Sequence, residues 1–185
     1  MGRIVTKQNE LDGLRVHFFV SRNKDNRDVP GFHKRTRAFL AEGNDEAIHE
    51  AFLDFVNHGV RGEMCRHYVS VNPRSPEKIR EALIVRLVTL KPDVTKMDSM
   101  TASLAARPEC ALTKQWLLDF DSRDEVLLGE FLTEIPVSDD ELKVFGTPHG
   151  YAIVTPHGFD TRGLEKYPFT NKRDGSLLLE WLRNG

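Results

Sequence analysis

The segment Lys114-Gln-Trp-Leu-Leu-Asp-Phe-Asp121 carries an apolar run into Asp-x-Asp. In an extended strand that spacing puts Asp119 and Asp121 on one face and turns Phe120 to the other, toward a core. Two carboxylates held side by side repel each other unless a cation lies between them. Hard divalent ions such as Mg²⁺ or Mn²⁺ suit oxygen donors, and oxygen-rich sites of this sort commonly handle phosphates. The chemistry these residues would do is therefore metal-assisted chemistry on a nucleotide. The structural alternative is a strand end whose acids run into a turn and cap the helix that follows.

Two further clusters have residue types that do chemistry. His33-Lys-Arg-Thr-Arg37, followed by Phe39, combines positive charge with an aromatic ring and suits contact with a nucleic-acid backbone; the same run also reads as the solvated face of a helix. Cys65-Arg66-His67 has the start of a zinc-ligand pattern but no further ligands at suitable spacing, so a structural thiol beside a histidine is the better reading.

The elements that must position these groups follow from periodicity and punctuation. Residues 15–21 read as a buried strand, followed by a polar, turn-rich stretch at 22–30. Ile48, Ala51, Phe52, Phe55 and Val56 fall at helical spacing within 45–58, which ends at Gly59. A second strand is expected at 67–71. Ser75 then caps a helix that has Pro76 in its first turn and runs to about Leu90. A connector at 91–98 leads to a short helix near 97–106, stopped by Pro108. After the Asp-x-Asp strand, Ser122-Arg-Asp-Glu125 matches a capping box that opens a helix with Val126, Leu127, Phe131 and Leu132 as its apolar face. Two strands, 142–146 and 150–155, form a hairpin around Thr147-Pro148-His149, and 176–182 gives a last apolar strand carrying Glu180.

From residue 66 onward this order suits an α+β fold of the RNA-recognition or ferredoxin-like type, an antiparallel sheet with helices on one face. Residues 1–65 are too few for an independent domain and are expected to form a small αβ lobe packed on the 66–185 module.

Composition bounds the functional classes. The 185 residues are 39% hydrophobic, which suits one compact soluble domain or two small lobes sharing a core. A net charge of −2 and a pI near 6.4 argue against nonspecific coating of nucleic acid, while allowing a local basic groove beside an acidic site. Two distant cysteines, Cys65 and Cys110, without a secretory leader point to a reducing cytoplasm. No apolar run reaches the roughly 20 residues of a membrane span.

Three ordered stretches, Tyr68-Val-Ser-Val-Asn-Pro-Arg74, Trp116-Leu-Leu-Asp-Phe-Asp121 and Thr147-Pro-His-Gly-Tyr-Ala-Ile-Val-Thr-Pro156, resemble the landmarks of archaeo-eukaryotic-type primases and primase-polymerases. The resemblance spans residues 66–181. It implies a nucleotidyltransferase in which Asp119 and Asp121 hold Mg²⁺ or Mn²⁺ and Glu180, in Leu177-Leu-Leu-Glu-Trp181, completes the metal site. It also implies a nucleotide-phosphate contact from a histidine on the strand after Gly150-Tyr151. There this chain has Ala152, with His149 and His157 flanking the position.

In the active reading Thr147, His149 and His157 join Arg74, Arg162 and Lys172 as nucleotide-binding candidates. The implied ligands are nucleoside triphosphates and a nucleic-acid strand, with a replication protein as a possible partner. Loss of the strand histidine fits equally well a catalytically degenerate primase-like fold that serves as a nucleic-acid or partner-binding module. Haloacid-dehalogenase phosphatases also open with an apolar strand ending in Asp-x-Asp, but too little chain follows Asp121 here to build their core.

Overall fold

A computed structural model of the chain describes residues 2–3, 11–43, 45–90 and 93–185. Parts of the expected 1–65 lobe (1, 4–10 and 44) and of the 91–98 connector (91 and 92) lie outside the described residues. The fold is α+β. Its elements, in chain order, are β1 (Gly2–Arg3), β2 (Leu14–Ser21), β3 (Arg35–Glu42), α1 (Glu46–Asn57), β4 (Met64–Ser70), α2 (Pro76–Thr89), α3 (Met97–Ala105), β5 (Trp116–Phe120), α4 (Glu125–Glu134), β6 (Lys143–Thr147), β7 (Gly150–Thr155), β8 (Phe169–Lys172) and β9 (Ser176–Arg183).

The strands divide into two antiparallel sheets, one ordered β1-β9-β4-β2-β3 and the other β6-β7-β5-β8. The sequence suggested a single sheet from residue 66 onward. Instead β4 and β9 leave that group to pair with each other, and β4 also pairs with β2 of the N-terminal segment. A boundary between 65 and 66 therefore falls inside β4. The reason lies in burial: β4 places Cys65, His67 and Val69 fully inside, and an interior strand needs ladder partners on both edges.

The basic segment 33–37 is also not helical. Residues 35–42 form β3, paired with β2 over its whole length, and Arg37 lies over the rings of Phe19 and Phe39. After β5, the helix cap is Asp124 rather than Ser122: its carboxylate accepts from the backbone N–H groups of Val126 and Leu127. Phe131 packs inward as expected, joined by Leu128 and Ile135 and with Leu127 and Leu132 partly buried against them, while Val126 is exposed.

Each sheet is backed by helices. On the first sheet α1 packs Ile48, Phe52, Phe55 and Val56 against Phe19, Cys65 and Leu182, while α2 and α3 bring Ile79, Ala102 and Ala105 against Val16 on the other side. On the second sheet α4 packs Leu128 and Phe131 against Leu118, Phe120 and Ile153. A further cluster unites the two sheets: Val69, Val71, Leu177 and Leu179 from the first with Leu117, Phe145, Ala152 and Val154 from the second.

The chain leaves the first sheet after β4 and returns to it at β9, and the two crossings are tied together. Asn72 donates to the Gln115 carbonyl at 3.0 Å and to Asp174 at 2.9 Å, and its Oδ1 accepts from Thr113 and from the Gln115 N–H. Arg74 adds a two-pronged pair to Asp174 at 2.8 and 3.0 Å and is 2% exposed. Removing one partner of such a buried pair strands the other charge, so Asp174→Ala should lower stability by about 3–5 kcal/mol. Urea unfolding of the variant against the parent measures this.

Candidate functional site

β5 carries Asp119, and Asp121 follows its last residue: Leu118 and Phe120 face α4, and the alternate positions Leu117, Asp119 and Asp121 face the first sheet. These three residues line a cleft of about 300 Å³ between the sheets. Across β7 the register sets Ala152 directly opposite Asp119 and Tyr151 opposite Phe120. The β6–β7 turn brings Thr147, Pro148 and His149 into the same cleft. On the far side of β5, β8 carries Lys172, whose Nζ donates to Asp119 Oδ2 at 2.5 Å.

Gly150 is what lets the turn approach. A Cβ there would collide with the Phe120 carbonyl and come within 2.9 Å of the Ser122 backbone, atoms that cannot rotate away. Only glycine permits this contact.

The opposite wall of the cleft comes from the first sheet and is cationic. Arg66 and Tyr68 alternate on β4, with Ser176 and Leu178 beside them on β9, and Arg22 and Lys24 reach in from the turn after β2. That turn is fixed by Asn26, 2% exposed, whose amide donates to Ser21, the Arg22 carbonyl and the Met64 carbonyl while its Oδ1 accepts from the Met64 N–H. Asp25 bridges the two guanidiniums, at 2.6 Å from Arg22 and 2.8 Å from Arg66. Burial alone would raise the Asp25 carboxyl, but the bonds from Arg22 and Arg66 hold it below the usual carboxylate range. The result is a preorganised positive wall facing a pair of carboxylates.

The sequence-derived candidates thus separate into two sets. Asp119, Asp121, Thr147, His149 and Lys172 share the cleft. Four others do not. Arg74 is sealed in the joint with Asp174. Arg162 is exposed and paired with Asp160. His157 is exposed, with Nδ1 donating to the Gly158 carbonyl at 3.0 Å. Glu180 faces the other way, 1% exposed under α1, with its oxygens 2.5 Å from His49 Nδ1 and 3.1 Å from His67 Nδ1.

The displacement of Glu180 has a definite cause. Simple alternation would align it with Ser176 and Leu178 in the cleft. However, Tyr68 pairs with Leu178 while the preceding His67 pairs with Glu180, so Leu179 is an extra residue in β9. Such a bulge reverses the facing of everything beyond it. Among the described residues no group of three His, Cys, Asp or Glu side chains is arranged to hold a metal ion. The sequence reading missed Arg22, Lys24, Arg66 and Tyr68, although the period-two alternation of Arg66 and Tyr68 in a strand carried the signal.

Glu180 belongs instead to a buried polar chain. His67 Nε2 lies 2.9 Å from His17 Nδ1, and both rings are fully buried. Burial would raise the Glu180 carboxyl, yet hydrogen bonds and charge from His67 and His49 hold it below its ordinary value. Burial, reinforced by His67, drives His17 down to about 3.

Comparison with protein families, with curated proteins and with solved structures finds no match. No helix among the described residues is long and apolar enough to cross a membrane.

Gly150→Ala should lift the β6–β7 turn off β5 and cost about 1–3 kcal/mol, read as a lowered melting temperature. As pH falls below the ordinary histidine value of 6.5, the unfolded chain takes up a proton at His17 that the folded chain refuses until about 3. Stability should therefore decline by about 1.4 kcal/mol per pH unit through that window, and Glu180 adds to the loss below the ordinary carboxylate value. His17→Phe should flatten the upper part of the slope, checked by urea unfolding at pH 7, 6 and 5.

Proposed function

We propose that the chain is a divalent-metal-dependent nucleotidyltransferase, akin to a minimal primase-polymerase, acting on nucleoside triphosphates and a nucleic-acid strand in a cytoplasmic setting. The observation that carries this reading is the opposition across one cleft of two carboxylates, Asp119 on β5 and Asp121 just past its end, and a cationic wall of Arg22, Lys24 and Arg66. A triphosphate carrying a divalent cation is complementary to both walls at once: its anionic oxygens suit the guanidiniums and its cation suits the acids.

The donors present fit Mg²⁺ or Mn²⁺. Such ions are commonly held by one or two carboxylates and completed by water and substrate phosphate, and Asp119 and Asp121 supply that number. When bound, the ion would neutralise the phosphates and stabilise the departing pyrophosphate. The chain's own groups do the rest. Arg66, held by Asp25, offers a fixed guanidinium to phosphate oxygens; Thr147 and His149 lie beside the acids on a turn whose position Gly150 sets; Leu178 and Tyr68 give the cleft an apolar and aromatic surface for a sugar or base.

The test is extension of a primed single-stranded template with labelled nucleoside triphosphate and Mn²⁺. Asp121→Asn should cost at least about a thousandfold in rate, roughly 4 kcal/mol of transition-state stabilisation. His149→Ala should cost about tenfold to a hundredfold. Activity that survives Asp121→Asn rules out the metal reading.

A second reading has its own support. Ala152 puts no polar group opposite Asp119, and Lys172 already engages that carboxylate. A primase-like module that binds nucleic acid or a partner without catalysis would carry such features. Absence of incorporation with any template or nucleotide, alongside salt-sensitive binding of single strands, supports this alternative.

A further inference from the structure

Asp119 has unlike neighbours on its two flanks. Directly across on β7 stands Ala152, without a polar group. On β8, Lys172 pairs across from Leu117, one row along on the same face, and its ammonium lies 2.5 Å from Asp119 Oδ2. The counter-charge to this carboxylate thus arrives from β8, and both groups line the cleft. Both side chains remain accessible, 44% exposed for Lys172 and 34% for Asp119, so packing locks neither in place. A lysine on a flexible four-carbon stem can leave such a contact by rotating its own bonds.

We infer that Lys172 is an exchangeable counter-ion, which neutralises Asp119 while no divalent cation is bound and transfers to a substrate phosphate when one is. This rests on the metal-dependent reading of the cleft. A cation held by Asp119 would supply the charge that Lys172 otherwise gives and free its ammonium for a polyphosphate, and Lys172 turned to a polyphosphate would leave the carboxylate open to a cation. Each ligand lowers the cost of binding the other, and the coupling is reciprocal. The ligand class favoured is therefore the divalent-cation complex of a nucleoside triphosphate over the free triphosphate or the free ion. A static ion pair that merely joins β5 to β8 would produce no such coupling.

The experiment titrates Mn²⁺ alone, ATP alone, and ATP in the presence of Mn²⁺ into the full chain by calorimetry. The variants are Lys172→Met, Lys172→Arg and Asp119→Asn, with melting temperatures to show that each is folded. Lys172→Met should bind Mn²⁺ alone about threefold to tenfold more tightly, since a competing and repelling charge is gone. It should bind ATP with Mn²⁺ more weakly than the parent and lose the mutual enhancement between the two ligands. Lys172→Arg should keep that enhancement. Equal Mn²⁺ affinity in the parent and Lys172→Met, with binding lost in Asp119→Asn, overturns the exchange while leaving the metal site standing. Failure of both the parent and Lys172→Met to bind Mn²⁺, whether alone or together with ATP, overturns the metal-dependent reading and the exchange together.

Discussion

The cleft exists because two sheets are held at a fixed separation, and the joint that holds them is the buried cluster of Asn72, Arg74 and Asp174. The second sheet is an excursion between β4 and β9, and its entry and exit meet at this cluster. A charge pair in such surroundings is costly to desolvate, and its value lies in geometry: each group has a directional partner that an apolar contact would lack. Arg74 is thus accounted for by position rather than by substrate. The apolar cluster of Val69, Leu177, Leu117 and Ala152 lies between the same sheets, so burial and polar fixation act together on the two walls of the cleft.

Those walls differ in charge for reasons that lie in strand alternation and in one turn. The second sheet contributes acids because Asp119 lies on β5 and Asp121 follows two residues on, just past its end. The first contributes cations because Arg66 alternates with Tyr68 on β4 and because Asn26 pins the turn that bears Arg22 and Lys24. Asp25 between Arg22 and Arg66 holds both guanidiniums without neutralising them fully. An isolated surface ion pair contributes little to stability; the consequence of this arrangement is a positive field across a narrow cleft.

The extent to which this was legible in the sequence tracks the range of the interactions involved. The Asp-x-Asp strand, the α1 pattern and the hairpin at Thr147 to Gly150 are set by local period and turn chemistry, and the structure has them where periodicity puts them. The assignment of strands to sheets is nonlocal. Nothing within β4 or β9 announces that they pair with each other and with β2. Charged β3 was obscured for a related reason, since an edge strand with one partner tolerates Arg35 and Arg37, and its apolar alternation is diluted accordingly. Arg74 and Arg162 looked equivalent as cations, yet one is sealed in the joint and the other stands in solvent. Only burial separates them.

Glu180 shows how a single residue can redirect a site. With Leu179 inserted, the carboxylate that alternation would align with Leu178 turns beneath α1, where His49 and His67 satisfy both its oxygens. Turning it back would expose those imidazoles to an unfilled, desolvated space, so the bulge and the histidines stabilise each other. The acidic wall of the cleft is left with Asp119 and Asp121. Two carboxylates would leave most of a divalent cation's coordination to water and phosphate, so under the proposed reading the ion would be retained weakly without substrate. An accessible pair of like charges needs a counter-charge, and Lys172, on the adjoining strand and 2.5 Å from Asp119, supplies one on a partly exposed, flexible side chain.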